Sequence, residues 1–296
     1  MKKKKYRVIA ALMAMAVMAG SLTGCGGNKN APAEAGSAAS GTAAEGNGGG
    51  ASAASGEINA EKPAEGMALK EDIVIGMQSK HTTVDAMDAS NTQHNYMYRM
   101  VYDTPVHFNN TTKELEPSLA EEWSTEDGGK TYIFKLRDGV KFHNGETLKA
   151  SDFVFTFKRM EGTTSCNGLF LKVESVEAVD DLTVKMTLVD PNLDWPYMMT
   201  LPTASIMNEK AVTDDPEKGP AVGTGPWMVD SYEFGNYTKL VAFEDSWRGA
   251  PNAKSFTFRY IPEDSARLIA LQNGEIDICQ TPAAIELGRI EEDPAL

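Results

Sequence analysis

The 296-residue chain carries 28 basic and 42 acidic side chains, a formal net charge of −14. That balance excludes a nucleic-acid binder, which needs clustered Lys and Arg to displace counterions from phosphate, and it disfavours adsorption on anionic lipid by charge alone. Acidity of this size speaks to solubility rather than to fold or substrate.

The first predicted element is a leader. Lys2, Lys3, Lys4, Lys5 and Arg7 form a positive start, followed by an uncharged, mostly apolar run from Val8 to Ala19. The run is shorter than the roughly 20 residues a membrane-spanning helix needs, and suits the core of a signal peptide. Leu22-Thr23-Gly24-Cys25 resembles the bacterial lipobox. The resemblance implies that residues 1–24 are removed and that Cys25 is lipidated, holding the protein at the outer face of the cell membrane; the alternative is an ordinary secretory signal containing a cysteine. Cleavage would lower the basic count from 28 to 23 against 42 acids, a mature charge near −19. Residues 25–66 are Gly, Ala and Ser with scattered Glu, Asn and Pro, and include Gly48-Gly49-Gly50. So little of this can be buried that a disordered tether is expected, with an r.m.s. reach of roughly 35 Å. Cys166 and Cys279 would then be the remaining cysteines, and they are expected to be unpaired even where a disulfide could form.

The composition changes at Met67. Ile73–Met77 reads as a buried strand, and Asn95–Tyr102 has helical spacing. Thr131–Leu136 alternates with strand period after an Asp127-Gly128-Gly129 turn. Ser151 is the expected cap of a helix through Phe153, Val154, Phe157 and Met160. Val173–Val179 and Thr183–Leu188 form an expected hairpin about Asp180-Asp181. Strands follow at Tyr237–Phe243 and Ser255–Ile261, then a helix over Asp264–Asn273 and a short apolar piece at Ile276–Ile278. This is an α/β mixture rich in hairpins.

Catalytic patterns are not found. Gly223-Thr224-Gly225-Pro226 lacks the lysine of a phosphate loop, and Pro226 removes an amide that such a cradle uses. His81, His94, His107 and His143 are scattered, with His143 read as a turn residue; Cys166 and Cys279 have no His or Cys neighbours at zinc-finger spacing. No catalytic residue, metal site or cofactor is therefore nominated, and an enzyme ranks last. Gly139 and Gly145 are expected to shape the turns flanking Val140–His143, and Gly223 and Gly225 a turn before a strand at Pro226.

Three ordered blocks carry a family resemblance. The first is Glu116–Met160, EPSLAEEWSTEDGGKTYIFKLRDGVKFHNGETLKASDFVFTFKRM; the second is Val222–Trp227; the third runs from Ile261-Pro262-Glu263-Asp264 to Arg267–Asp277. Together they resemble the family 5 extracellular solute-binding proteins, the dipeptide, oligopeptide and nickel receptors of ABC importers. The key positions of the first block are Leu136, Arg137, Gly139, Val140, Phe142, Gly145, Ala150, Asp152 and Phe153.

The resemblance implies an α/β, periplasmic-binding-protein-like fold of the peptide-binding type II class, whose two lobes close around a solute. It places the first lobe at 67–262, with a subdomain near 104–201, and the start of a truncated second lobe at 263–296. Family members continue for another two hundred or more residues; a fragment, a truncated gene and a short one-lobed protein are the expected explanations, in that order. If the chain ends at Leu296, peptide binding should be weaker than micromolar or absent. A second-lobe Asp that pairs with a peptide ammonium in the family cannot be placed here.

The implied cleft face is the loop Ser79–Asp88, with Thr82 and Thr83 as candidate solute contacts or ordinary loop residues. Tyr98 and Tyr102 are candidate pocket residues or core, and Trp227 a candidate cover for solute or a packing residue. The implied partners are a short peptide and the permease subunits of an ABC importer, the receptor acting as a monomer. Chelated nickel is the rival solute, and a non-transport surface sensor or adhesion lipoprotein is the alternative of another class.

Overall fold

The apolar run after Met67 becomes β1 (Asp72–Met77). It is the only strand of its sheet flanked on both sides by parallel neighbours: β10 (Ser255–Tyr260) and β11 (Ile278–Cys279). Beyond β10 the sheet turns antiparallel through β9 (Tyr237–Ala242) to β8 (Trp227–Glu233), giving the order β11-β1-β10-β9-β8. The structure, a computed structural model, describes residues 70–88, 94–163 and 166–293. The expected signal peptide, the lipidation site Cys25 and the tether lie outside the described residues.

A second, antiparallel sheet has the order β4-β5-β7-β6, built from β4 (Ala120–Thr125), β5 (Thr131–Leu136), β6 (Val173–Ala178) and β7 (Thr183–Leu188). The alternation in β5 buries Tyr132, Phe134 and Leu136 and leaves Lys135 exposed, as a period of two requires. Phe134 meets Phe153, which stacks on Phe157, both from α2 (Ala150–Arg159); apolar burial thus fixes α2 to this sheet. A hairpin of β2 (Val106–Phe108) and β3 (Leu115–Pro117) joins the sheet regions. Four shorter helices complete this part: α1 (Asn95–Val101), α3 (Asn167–Phe170), α4 (Trp195–Met198) and α5 (Glu209–Asp214).

Several local expectations change. The N-cap of α2 is Lys149, not Ser151, which is exposed within the first turn. Asp152 closes the helix start: its carboxylate accepts from Lys149 N at 2.9 Å and from Glu209 N at 2.9 Å, so one side chain ties α2 to α5. Burial raises the Asp152 pKa, and these two amide bonds oppose the rise. Gly139 and Gly145 have positive φ as expected. Gly223 and Gly225 do not; they are needed because a Cβ at either position would overlap the carbonyls of Val101 and Met100 at the end of α1. Their absent side chains let Gly225 N reach Val101 O at 2.9 Å.

Past Pro262 the chain stays with the first sheet. After Pro262 the chain forms α6 (Asp264–Gln272) and returns through β11 to pair with β1, placing Ile278 opposite Ile75 and Cys279 opposite Gly76. Ile276, expected in the strand, instead packs its side chain over Gly76. The fully buried Arg267 enforces the return. Its guanidinium donates to Ile261 O (2.8 Å), Pro262 O (2.9 Å) and Thr281 O (3.1 Å), and it pairs with Asp264. The last helix is α7 (Leu287–Glu292). Cys166 is buried, Cys279 half-buried, and both are free thiols.

Candidate functional site

The carboxyl end of β1 opens into the Ser79–Asp88 loop, and two histidines pin it. His81 Nδ1 lies 2.9 Å from Thr238 Oγ1 on β9, and its ring packs edge-on against Phe258 of β10. His94, just before α1, donates from Nε2 to Lys80 O at 2.7 Å. The two imidazoles meet edge to face at 4.7 Å, leaving His81 Nε2 and His94 Nδ1 buried without partners. Burial, then the neighbouring His94, lowers the His81 pKa to about 4. Burial also lowers that of His94, against the opposing bond to Lys80. Both rings are neutral at pH 7.

Farther along, Thr82 is exposed, while Thr83 Oγ1 accepts from Asp85 N at 3.0 Å and shapes the turn. Asp85 makes a two-point contact with Arg159 of α2, at 3.1 and 2.5 Å. Such a bidentate carboxylate–guanidinium pair fixes orientation as well as distance. Tyr102 places its hydroxyl against Val84 O (2.5 Å) and Pro220 O, holding the loop to the core. Tyr98 is fully buried with no partner for its hydroxyl. Burial, then Asp85 and Asp88, raises its pKa. Burial and Asp85 likewise push the Cys166 thiol up to about 11, so it carries no thiolate at neutral pH.

Two hollows adjoin this framework. One, of about 10 Å³, lies at the ends of β1 and β10 between Ser79, His81, Gly235, Asn236 and Tyr260. It has room for about one water. The other, of about 60 Å³, lies along α1 between Tyr98, Arg99, Tyr102, His107, Ser205 and Arg248. Beside it Asp103, with its side chain wholly buried, accepts from Thr224 Oγ1 (3.0 Å) and Trp247 Nε1 (2.8 Å) and pairs with Arg248. Burial and then the Arg248 charge lower the His107 pKa, so His107 adds no charge near pH 7.

The sequence-nominated residues therefore divide. Thr82, Thr83, Tyr98 and Tyr102 gather around the loop and α1, although Thr83 is engaged in its turn and both tyrosines are core residues. Trp227 lies at the far end of β8 from the small hollow. It pairs with Ala242 at one end of β8, whereas Glu233 at the other end leads into the turn beside the small hollow. Six strand steps separate those ends by roughly 20 Å. Trp227 packs edge-on against Phe256 at 5.1 Å, which makes it a sheet-packing residue. The residues that build the framework but were not nominated are His81, His94, Asp85, Arg99, Asp103 and Arg159. The four-residue spacing of His94, Tyr98 and Tyr102 along α1 was the one signal pointing to a shared face. Among the described residues, no three metal-ligating side chains converge. The arrangement offers hydrogen bonds, charge and aromatic surface to a ligand.

The profile of the bacterial extracellular solute-binding proteins, family 5 (middle region), matches residues 114–296. The dipeptide-binding protein of Escherichia coli K12 is 28% identical over 223 residues, 66% of this chain and 42% of that protein. The periplasmic binding protein DppA of Helicobacter pylori, solved with the peptide STSA, superposes with a TM-score of 0.69 at 25% identity, covering 75% of this chain and 49% of that one. A nickel ABC transporter structure from Bacillus halodurans gives a TM-score of 0.67 at 25% identity, over 76% and 46% of the two chains. The chain thus spans less than half the length of each of these relatives.

Proposed function

The chain belongs to the family 5 bacterial extracellular solute-binding proteins, and we propose that it captures short peptides outside the cytoplasm for an ABC importer. The observation that carries this reading is the Ser79–Asp88 loop, held at its base by His81 and His94 and farther along by Tyr102 and the Asp85–Arg159 pair. A rim fixed at several points presents Thr82 with little ordering left to do on binding, which favours affinity. In this reading the first lobe runs from residue 67 through β11, with a subdomain near 104–201 around the second sheet. The solute draws a second lobe onto this rim and stabilises the closed state through contacts to both.

Lipidation at Cys25 would keep the receptor near its permease through the 25–66 tether. Replacement of Cys25 by Ser should move the protein from the membrane fraction to the soluble extracytoplasmic fraction and abolish incorporation of labelled palmitate. Retention at the membrane with undiminished label would refute the anchor. Chelated nickel is the second reading, supported by the likeness to the Bacillus halodurans structure. Competition between mixed di- to pentapeptides and a nickel chelate on the purified protein separates the two, and peptides should win.

A further inference from the structure

From the hollow along α1 we infer a second recognition element, a subsite for an oxyanion (a carboxylate, sulfate or phosphate group) centred on Arg99. Each of the six other described arginines lies within ion-pair distance of a carboxylate, as Arg159 does with Asp85 and Arg248 with Asp103. The Arg99 side chain makes no ion pair or hydrogen bond among the described residues, although the chain holds 42 acidic side chains that could have supplied one. It borders a hollow of about 60 Å³. That is room for several water-sized groups, and so for one oxyanion.

The other walls suit the same ligand. Arg248 is neutralised by Asp103, so Arg99 leaves the hollow with one uncompensated positive charge in an acidic protein. The buried Ser205 and Tyr98 also line the hollow, and the Tyr98 hydroxyl is buried without a partner. A guanidinium fork and neutral hydroxyl donors are the chemistry that binds carboxylate, sulfate or phosphate oxygens. The oxyanion could belong to the solute or be a free inorganic ion; both offer these oxygens.

Calorimetric titration of the purified chain with sodium sulfate at low ionic strength tests the subsite without any peptide feature, so it stands or falls separately from peptide capture. Saturable binding that weakens as sodium chloride is added is expected. Arg99→Gln should weaken it about tenfold or more, since it removes a charge-assisted fork. Arg99→Lys should fall between, and Arg289→Gln, on α7 and outside the hollow's lining, should match the parent. Displacement of sulfate by dialanine but not by dialanine amide would assign the subsite to a solute carboxylate; displacement by neither would assign it to an inorganic oxyanion. Non-saturable heats, or equal binding by folded Arg99→Gln protein, would overturn the inference.

Discussion

Asp103 joins two distant segments of the chain through one buried carboxylate. Its buried carboxylate holds Thr224 from the Gly-Thr-Gly-Pro turn, the Trp247 indole and the Arg248 guanidinium. Removing it leaves a partly buried cation and two donors without their acceptor. Asp103→Ala should therefore cost about 3 kcal/mol of unfolding free energy, to be read by urea denaturation at pH 7. A loss under about 0.5 kcal/mol, the range of ordinary surface changes, would refute this role. Nothing in the local sequence marks the residue, because its partners are more than a hundred positions away. His81 supplies a pH test. Its folded pKa, about 4, lies below the unfolded value near 6.5, so the unfolded chain binds more protons between those limits. The neutral ring's contribution is complete above pH 6.5 and is lost as the pH falls towards 4. Comparing unfolding free energies at pH 7 and 4.5, His81→Gln should reduce the acid-induced loss by about 2 kcal/mol. An unchanged pH slope would mean that the ring is not shielded as described.

Among the elements, those with clear periodicity were legible in the sequence: β1, α1, β5, the β6–β7 hairpin, β9, β10 and α6 all lie within a residue or two of expectation. The elements missed are short or depend on tertiary pairing. The β2–β3 hairpin has three-residue strands; β8 was expected to start at Pro226, but its extent was not readable because its register shifts between Val229 and Ser231. β11 was displaced by two residues because Ile276 looks like a strand residue but fills space above Gly76. Its attachment depends on Arg267, whose carbonyl partners are invisible to pattern reading. Arg267→Gln should accelerate amide hydrogen exchange in β11 and the segment that follows, while the β4–β7 sheet keeps its protection. Uniform acceleration across both sheets, or none, would show that Arg267 does not act locally. The site was legible to the same degree. Family resemblance pointed to the loop with Thr82, Thr83, Tyr98 and Tyr102, but it could not show that Trp227 sits at the opposite end of β8.

For the whole molecule, the fold covers part of the two-lobed solute-binding fold: a mixed five-stranded sheet and an antiparallel four-stranded one, with the Ser79–Asp88 loop leaving β1. No helix among the described residues is long and apolar enough to cross a membrane. The first sheet keeps the chain through β11, which returns after α6 to pair with β1. The most direct test of peptide capture is isothermal calorimetry of the purified chain with mixed di- to pentapeptides, alone and in competition with a nickel chelate. Saturable peptide binding, undisturbed by the chelate, is predicted. Saturable binding of the chelate alone, or no saturable binding of any peptide, would contradict it.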